Sequence, residues 1–288
     1  MDQEYGLLDT DEVESPGDEW EEIDYTDTDA DRIARKRDRE FSQFRERIKD
    51  ADQFKVEDSV FDEATYGALY KLVQDGHIDA FGGPISTGKE ANVYTALAGN
   101  TEVAVKIYRI NASDFREMGE YLKGDPRFEE IAGNKKAVVM AWVRKEFANL
   151  KRARAAGVRV PEPYAVERNV LVMEYLGTET GRAKRLVEVH IENPRTAFEV
   201  VREYIYRLYD AGIVHGDLSE YNIIVHNSQL YIIDVGQAVT VHHPNSDDFL
   251  ERDCENVANF FARQGVDVDG DQLLEYTREH ADPLENGP

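Results

Sequence analysis

Three side chains in one stretch of this chain, Asp217, Asn222 and Asp234, have the order and spacing of a phosphoryl-transfer site. The stretch reads I-V-H-G-D-L-S-E-Y-N-I-I-V from Ile213 and, after a short turn, L-Y-I-I-D-V-G-Q-A-V. Asp217 and Asn222 stand in D-x-x-x-x-N, on a loop entered from an apolar helix. Asp234 follows an apolar run and precedes Gly236. A transferable phosphoryl group carries several negative charges, so its site needs a hard cation. Mg2+ takes oxygen ligands, usually one or two carboxylates completed by phosphate oxygens. The Asn222 amide and the Asp234 carboxylate, on adjacent turns, suit that ion. Asp217, kept off the metal, can accept a hydroxyl proton or orient a water. Asp and Asn also favour turns for purely conformational reasons. That explains one turn, but not two apolar-flanked turns carrying these residues in this order.

A second group lies upstream. Lys106 sits in V-A-V-K-I-Y, an alternating strand, and a lysine inside an apolar strand requires an anionic partner. Phosphates and Glu146 are its natural partners. Glu146 interrupts a helical stripe of Val139, Val143 and Leu150, so it faces inward. Singly, a strand lysine and a rim glutamate are ordinary; beside the later acidic motifs they read as one site. The segment G-P-I-S-T-G-K-E-A-N-V-Y formally fits G-x-x-x-x-G-K at Gly83 to Lys89. A Walker loop needs Ser or Thr next and then a helix. Here Glu90 and a strand follow, which excludes it. The better reading is a turn between strands that covers phosphates with backbone N–H groups and with Ser86 and Thr87, although an ordinary hairpin would look the same. After the strand L-V-M-E-Y-L-G, backbone groups of Glu174 and Leu176 could bond an adenine edge with Met173 packed behind. A buried strand end has the same pattern.

The elements that must position these groups divide into two halves. Helical spacing of Tyr66, Leu69, Tyr70 and Val73 stops at Gly76, and strand-like runs follow over 78–85, 92–97 and 102–108. Residues 110–136 have no clean period and read as a long insertion. A helix is expected over about 137–156, then strands over 160–167 and 169–175. Val201, Tyr204, Ile205 and Leu208 mark the helix leading into the Asp217 loop; Leu250, Cys254, Val257 and Phe261 mark one after it. The pattern predicts an α+β, two-lobed fold with a cleft between a strand-rich and a helix-rich, truncated lobe. The expected divisions are an acidic disordered tail over 1–31, a basic helical segment over 32–53, an N-lobe over 54–173 and a C-lobe over 174–288.

Composition limits the partners. The 288 residues include 58 acidic and 34 basic side chains, a formal net charge of −24. Such acidity argues against nucleic-acid binding through overall charge and suits solubility in high salt. Residues 1–31 alone hold fourteen acidic residues and no basic one, and 32–49 then carry eight basic residues. That basic run is a solvated helix or a local RNA or phosphate contact, and it lacks the aromatic interleaving of a stacking surface. A single cysteine, Cys254, excludes an internal disulfide and fits a reducing interior. No signal peptide or long apolar run appears, so a cytoplasmic protein without membrane association is expected.

Taken together, S-T-G-K-E-A-N-V-Y, V-A-V-K-I-Y-R, K-E-F-A-N-L-K-R, H-G-D-L-S-E-Y-N and I-I-D-V-G-Q-A-V closely resemble the RIO family of atypical serine/threonine protein kinases. The resemblance covers roughly 54–263. The segment after Lys106 looks like the type-one branch, and the short C-terminal end like the archaeal members. The resemblance implies ATP with Mg2+, or Mn2+ in its place. Lys106 would contact phosphates and Glu146 would fix it, while Ser86 would cover them. Glu174 and Leu176 would hold adenine. Asp217 would be the catalytic aspartate. Asn222 and Asp234 would bind the metal, with Asp234 also a transient phosphate acceptor. Two departures from ordinary kinases stand out. Gly216 replaces the usual arginine before Asp217, and no A-P-E segment follows Asp234. The peptide platform is therefore expected to be missing, which favours ATP hydrolysis or self-phosphorylation. The family also implies a pre-ribosomal small subunit and its rRNA as partner. A nucleotide-gated assembly checkpoint with little turnover is the alternative. The sequence does not give an oligomeric state.

Overall fold

The computed structural model describes residues 61–110, 115–122, 135–178 and 181–283, together with Lys36, Arg39, Ser42 and Gln43. Contacts divide the chain into Met1–Glu46 and Arg47–Pro288. In the first unit only the four named residues are described; they are helical and exposed. The acidic tail, most of the basic segment and parts of the 110–136 insertion lie outside the described residues.

The second unit opens with α1 (Glu63–Gln74), whose N-cap Asp62 accepts the Thr65 N–H at 2.7 Å. Its apolar face buries Tyr66, Leu69 and Leu72. Five antiparallel strands follow: β1 (Ala80–Thr87), β2 (Ala91–Ala98), β3 (Thr101–Tyr108), β4 (Pro163–Glu167) and β5 (Val170–Glu174), ordered β1-β2-β3-β5-β4. Central β3 is buried along its last six residues, which is why its apolar run tolerates only one charged side chain, Lys106. Between β3 and β4 come α2 (Phe115–Leu122) and α3 (Lys135–Ala155). The sequence showed no element where α2 forms.

After β5 the chain makes three two-residue strands, β6 (Gly177–Thr178), β7 (Gly181–Arg182) and β8 (Lys184–Arg185), then a short turn of 3-10 helix, Leu186–Glu188. Helix α4 (Pro194–Asp210) starts with Pro194 in its first turn and an Asn193 side chain accepting from Thr196 N–H. It leads through β9 (Ile213–Val214) to a hairpin of β10 (Ile223–His226) and β11 (Gln229–Ile232). The hairpin turn places Asn227 and Ser228 at φ of 49° and 60°, the twist that a two-residue hairpin loop needs. β12 (Val239–Thr240) returns beside β9, and α5 (Ser246–Arg263) and α6 (Gly270–His280) complete the helical half. Phe198, Val201, Ile205, Leu250, Cys254, Val257 and Phe261 interlock in its core.

Two arrangements position the site. β8 and β11 flank β10, and β12 pairs with β9, so the loops after β9 and after β11 emerge side by side. Helix α2 ties the two halves together from behind. Tyr121 meets Trp142 of α3 edge-on at 5.9 Å and stacks on Phe249 of α5 at 5.2 Å. The His243 ring donates from Nε2 to the Glu120 carbonyl at 3.0 Å, because its Nδ1 accepts the Asn245 N–H. No helix among the described residues is long and apolar enough to cross a membrane.

Candidate active site

Lys106 stands on β3 opposite Val93 of β2 and Leu171 of β5. Its Nζ donates to Glu146 Oε1 at 2.8 Å and to Asp234 Oδ1 at 2.8 Å. The Lys106 and Glu146 side chains are 10% and 2% exposed, whereas that of Asp234 is 56% exposed. The lysine is thus anchored to a buried carboxylate and reaches a second one that opens on solvent. Tyr108, two residues along the same face of β3, donates its hydroxyl to Glu146 Oε2. Both oxygens of Glu146 are therefore used. Burial works against the Lys106 ammonium, but Asp234 and Glu146 outweigh it and hold it well above the ordinary lysine value. Lys106 in turn pulls the Asp234 carboxyl below its usual range, helped by His215 and Arg185 against the effect of burial.

The loop after β9 is fixed from beneath. Gly216 adopts φ +80°, a conformation costly for any residue with a Cβ. The buried Asp253 carboxylate accepts the N–H groups of Gly216 and Leu218, each at 2.7 Å, on either side of Asp217. Arg252 donates to the Gly216 carbonyl. His215 accepts the Asp217 N–H on Nδ1 and so donates from Nε2 to the Ile233 carbonyl, joining the two loops. Burial pushes the Asp253 carboxyl up to about 6, against the pull of His215 and of the two N–H bonds.

The loop after β11 is fixed from α3. Asn149 donates to the carbonyls of Val235 (3.1 Å) and Ala238 (2.9 Å), and buried Lys145 to that of Gly236 at 3.0 Å. A Cβ on Gly236 would lie 2.9 Å from the Trp142 indole nitrogen, so the loop packs directly on α3. Asp234 itself sits at φ 64°, a region that residues other than glycine enter mainly at functional sites.

Between the halves lies a cleft of about 530 Å³. It brings together Ser86, Lys106, Glu146, Glu174, Leu176, Asn222 and Asp234. Asp217 is exposed at the mouth instead of lining the cleft. It is tied to the lining by Asn222 Nδ2, which donates to the Asp217 carbonyl (2.8 Å) and to its Oδ2 (3.1 Å). At the turn between β1 and β2, Gly88 N–H is turned back on Ala91 O at 3.0 Å, closing a tight connection from one strand into the next. On the far wall the Glu174 N–H is taken by the Glu162 carbonyl, and the Leu176 carbonyl by the Ala183 N–H.

The donor set fits a hard divalent ion. Asn222 spends its amide nitrogen on acceptors, so its Oδ1 is the atom left for a cation. Asp234 spends Oδ1 on Lys106 and keeps Oδ2. One amide and one carboxylate oxygen leave several positions for phosphate and water, as Mg2+ prefers. Among the described residues no cluster of three His, Cys, Asp or Glu side chains could hold a metal by itself.

A family model for the RIO domain matches residues 92–273, which contain every group described above except Ser86 and the turn of Gly88 and Ala91. The chain belongs to the RIO family. It is 69% identical over 277 residues to the RIO-type serine/threonine-protein kinase Rio1 of Haloferax volcanii, covering 96% of both chains. Rio1 of Methanocaldococcus jannaschii is 37% identical over 236 residues, 81% of each. Human serine/threonine-protein kinase RIO1 is 39% identical over 77% of this chain and 42% of its own. Among solved structures, the Rio2 kinase–ADP/Mg2+–phosphoaspartate complex from Chaetomium thermophilum aligns with TM-score 0.58 at 23% identity, over 77% of this chain and 69% of that one. The two-lobed kinase-like α+β architecture and membership of a serine/threonine-kinase family of Rio1 type are thereby established.

Several site groups escaped the sequence reading. Tyr108 lines the cleft and bonds to Glu146, whereas Lys145, Asn149, His215, Arg252 and Asp253 lie outside the lining and hold the backbone of the two loops. Asp253 had a readable signal. Like Glu146, it interrupts an apolar helical stripe, here that of Leu250, Cys254 and Val257.

Proposed function

We propose that this RIO protein binds ATP with Mg2+, or Mn2+ in its place, in the cleft and turns it over as a kinase and ATPase directed mainly at itself. The observation that carries this is the convergence on one cleft of Lys106, bonded to Glu146 and Asp234, with the free oxygens of Asn222 and Asp234. Mg2+, when bound, supplies charge neutralisation of the phosphates. Lys106 adds a fixed cation whose position Glu146 and Tyr108 set. The Glu174 carbonyl and the Leu176 N–H, an acceptor and a donor, complement the edge of adenine. Ser86 covers the phosphates from β1. Asp217, with one oxygen held by Asn222, keeps the other to receive a proton from a hydroxyl or a water. Asp234 is the carboxylate we assign as transient phosphate acceptor, a species named for the Chaetomium Rio2 complex.

The chain passes from Asp234 to α5 at Ser246 with only β12 between. That short passage favours self-directed transfer or hydrolysis over phosphorylation of many proteins. The work we assign to this turnover is binding and release of a maturing small ribosomal subunit and its rRNA in the cytoplasm. The same short passage supports a second reading, a nucleotide-gated assembly checkpoint with little turnover. Asp217→Ala should nearly abolish phosphate release while ADP and ATP still bind, and wild-type turnover in that variant would sink the assignment. Asp234→Ala should remove any hydroxylamine-sensitive phosphate label. Co-sedimentation with small-subunit precursors in ATP, ADP and no nucleotide, alongside turnover measured with and without them, separates enzyme from checkpoint.

A further inference from the structure

Four cations line the cleft, and two of them are bonded to carboxylates. Lys106 is bonded to Glu146 and Asp234. Arg182 is held by Glu188 through two bonds, Nη1 to Oε2 at 2.8 Å and Nη2 to Oε1 at 2.7 Å. Lys89 is exposed on the turn between β1 and β2. Arg185 differs. It lines the cavity and is half-buried, yet among the described residues its guanidinium makes no ion pair and no side-chain hydrogen bond.

Its placement is built rather than casual. Glu188, whose carboxyl the Arg182 bonds and the Arg185 N–H lower to about 2, accepts that N–H on Oε2 at 2.7 Å. β8 pairs with β10, putting Arg185 opposite Ile224, two residues beyond Asn222. Arg185, Asn222, Ile224 and Asp234 all line the same cavity. The backbone of Arg185 is thus pinned from two sides, and the charge of its side chain reaches the Asp234 carboxylate. A guanidinium presents a planar fork of N–H donors that matches two oxygens of a phosphate, and a cleft-facing one without a partner is poised for an anionic ligand.

We infer that Arg185 is a phosphate-binding residue of this cleft, contacting the nucleotide phosphate that lies nearest Asp234 from the lower sheet, as Lys106 does from the upper one. It moves no proton and forms no covalent bond; it shares the negative charge of the phosphoryl oxygens. The inference rests on the nucleotide reading given above and names one more residue of that site.

The test compares wild type, Arg185→Ala and Arg185→Lys in titrations with ATP, ADP and adenosine, at one fixed salt concentration. The Ala variant should lose tenfold or more in ATP affinity and in turnover, with adenosine affinity within twofold of wild type. The Lys variant should recover part of the ATP loss. Because the guanidinium makes no ion pair or hydrogen bond among the described residues, the melting temperature should stay within a few degrees. Equal losses for adenosine and ATP would overturn the inference, since they would place Arg185 at the base or ribose. Unchanged ATP affinity and turnover in Arg185→Ala would overturn it too, while the nucleotide reading stood. Failure of the wild-type protein to bind ATP would instead remove the reading on which the inference rests.

Discussion

Asp253→Asn separates the scaffolding of the Asp217 loop from its chemistry. The carboxylate holds two N–H groups at 2.7 Å on either side of Asp217 and touches no part of the cleft lining. The Asn side chain has nearly the same volume but one acceptor oxygen; its NH2 would meet an N–H. The variant loses one charge-assisted bond, worth about 1.5–3 kcal/mol. If that energy is expressed in the transition state, turnover falls about 10- to 150-fold at about 1.4 kcal/mol per tenfold. Stability should move much less. The folded carboxyl is raised to about 6 from an ordinary 3.8, so above pH 6 the native state carries a buried charge costing about 3 kcal/mol relative to acid. The amide removes that cost while losing a bond, and the two effects offset each other to within about 1–2 kcal/mol.

The pH dependence has a definite sign. Between pH 3.8 and about 6 the folded protein holds a proton on Asp253 that the unfolded chain has released. The contribution of this group to stability is therefore full below 3.8 and is lost as pH rises through 6. The ionised form is the one that accepts both N–H bonds, so turnover should rise with pH through 6 while this part of the stability declines. Urea denaturation and phosphate release, each run from pH 5 to 8 on wild type and Asp253→Asn, check both limbs. Turnover within twofold of wild type, or an unaltered acid limb near pH 6 in the variant, would refute the reasoning.

Three further outcomes follow from the packing. Gly236→Ala forces a Cβ to within 2.9 Å of the Trp142 indole; because the ring is rigid, the Asp234 loop must shift, and turnover should fall at least tenfold with nucleotide affinity reduced in parallel. Tyr121→Ala removes both the Trp142 and the Phe249 contacts. It should cost about 2 kcal/mol, lowering the melting temperature by about 4–8 °C for a domain of this size. Cys254 is fully buried and its thiol is pushed up to about 12, first by burial and then by Asp253; alkylation of the native protein at pH 8 should be slow and should follow the rate of global unfolding as urea is added.

The groups to which the chemistry is assigned were more legible than the groups that hold them. Lys106 and Glu146 announced themselves because each breaks an apolar period, and Asp217, Asn222 and Asp234 because the two turns lie close in sequence. Asn149 and Lys145 were not legible, since their partners are the carbonyls of Val235, Gly236 and Ala238, about ninety residues away. Carbonyl acceptors leave no trace in side-chain type. The order of strand-rich and helix-rich halves could be read from the periodicity, but the ends of β1 and β4 could not. β1 begins at Ala80 and extends to Thr87, beyond the apolar run, and β4 begins only at Pro163. Helix α2 was hidden for another reason. Its apolar residues Met118, Tyr121 and Leu122 make sense only against Trp142 and Phe249, which belong to different halves of the fold.

Helix α3 carries three kinds of constraint within two turns. Glu146 holds Lys106 of the upper sheet, Lys145 and Asn149 hold the Asp234 loop of the lower half, and Trp142 fills the space over Gly236. Swinging α3 outward would break the buried Lys106–Glu146 pair, at about 3–5 kcal/mol. It would also strip the three loop carbonyls of their donors, at about 1–3 kcal/mol for each group left buried and unpaired. Those losses together rival the whole stability of a typical domain, about 5–15 kcal/mol. A state with α3 displaced and the rest of the fold intact would therefore lie several kcal/mol above the one described. Lys106, Glu146 and the Asp234 loop form one preassembled unit, so the proposed turnover should be more sensitive to changes at Asp217 than to small shifts of α3. The Asp217 loop is the exposed part of the site, and it is held to the rest by Asn222 above and Asp253 below.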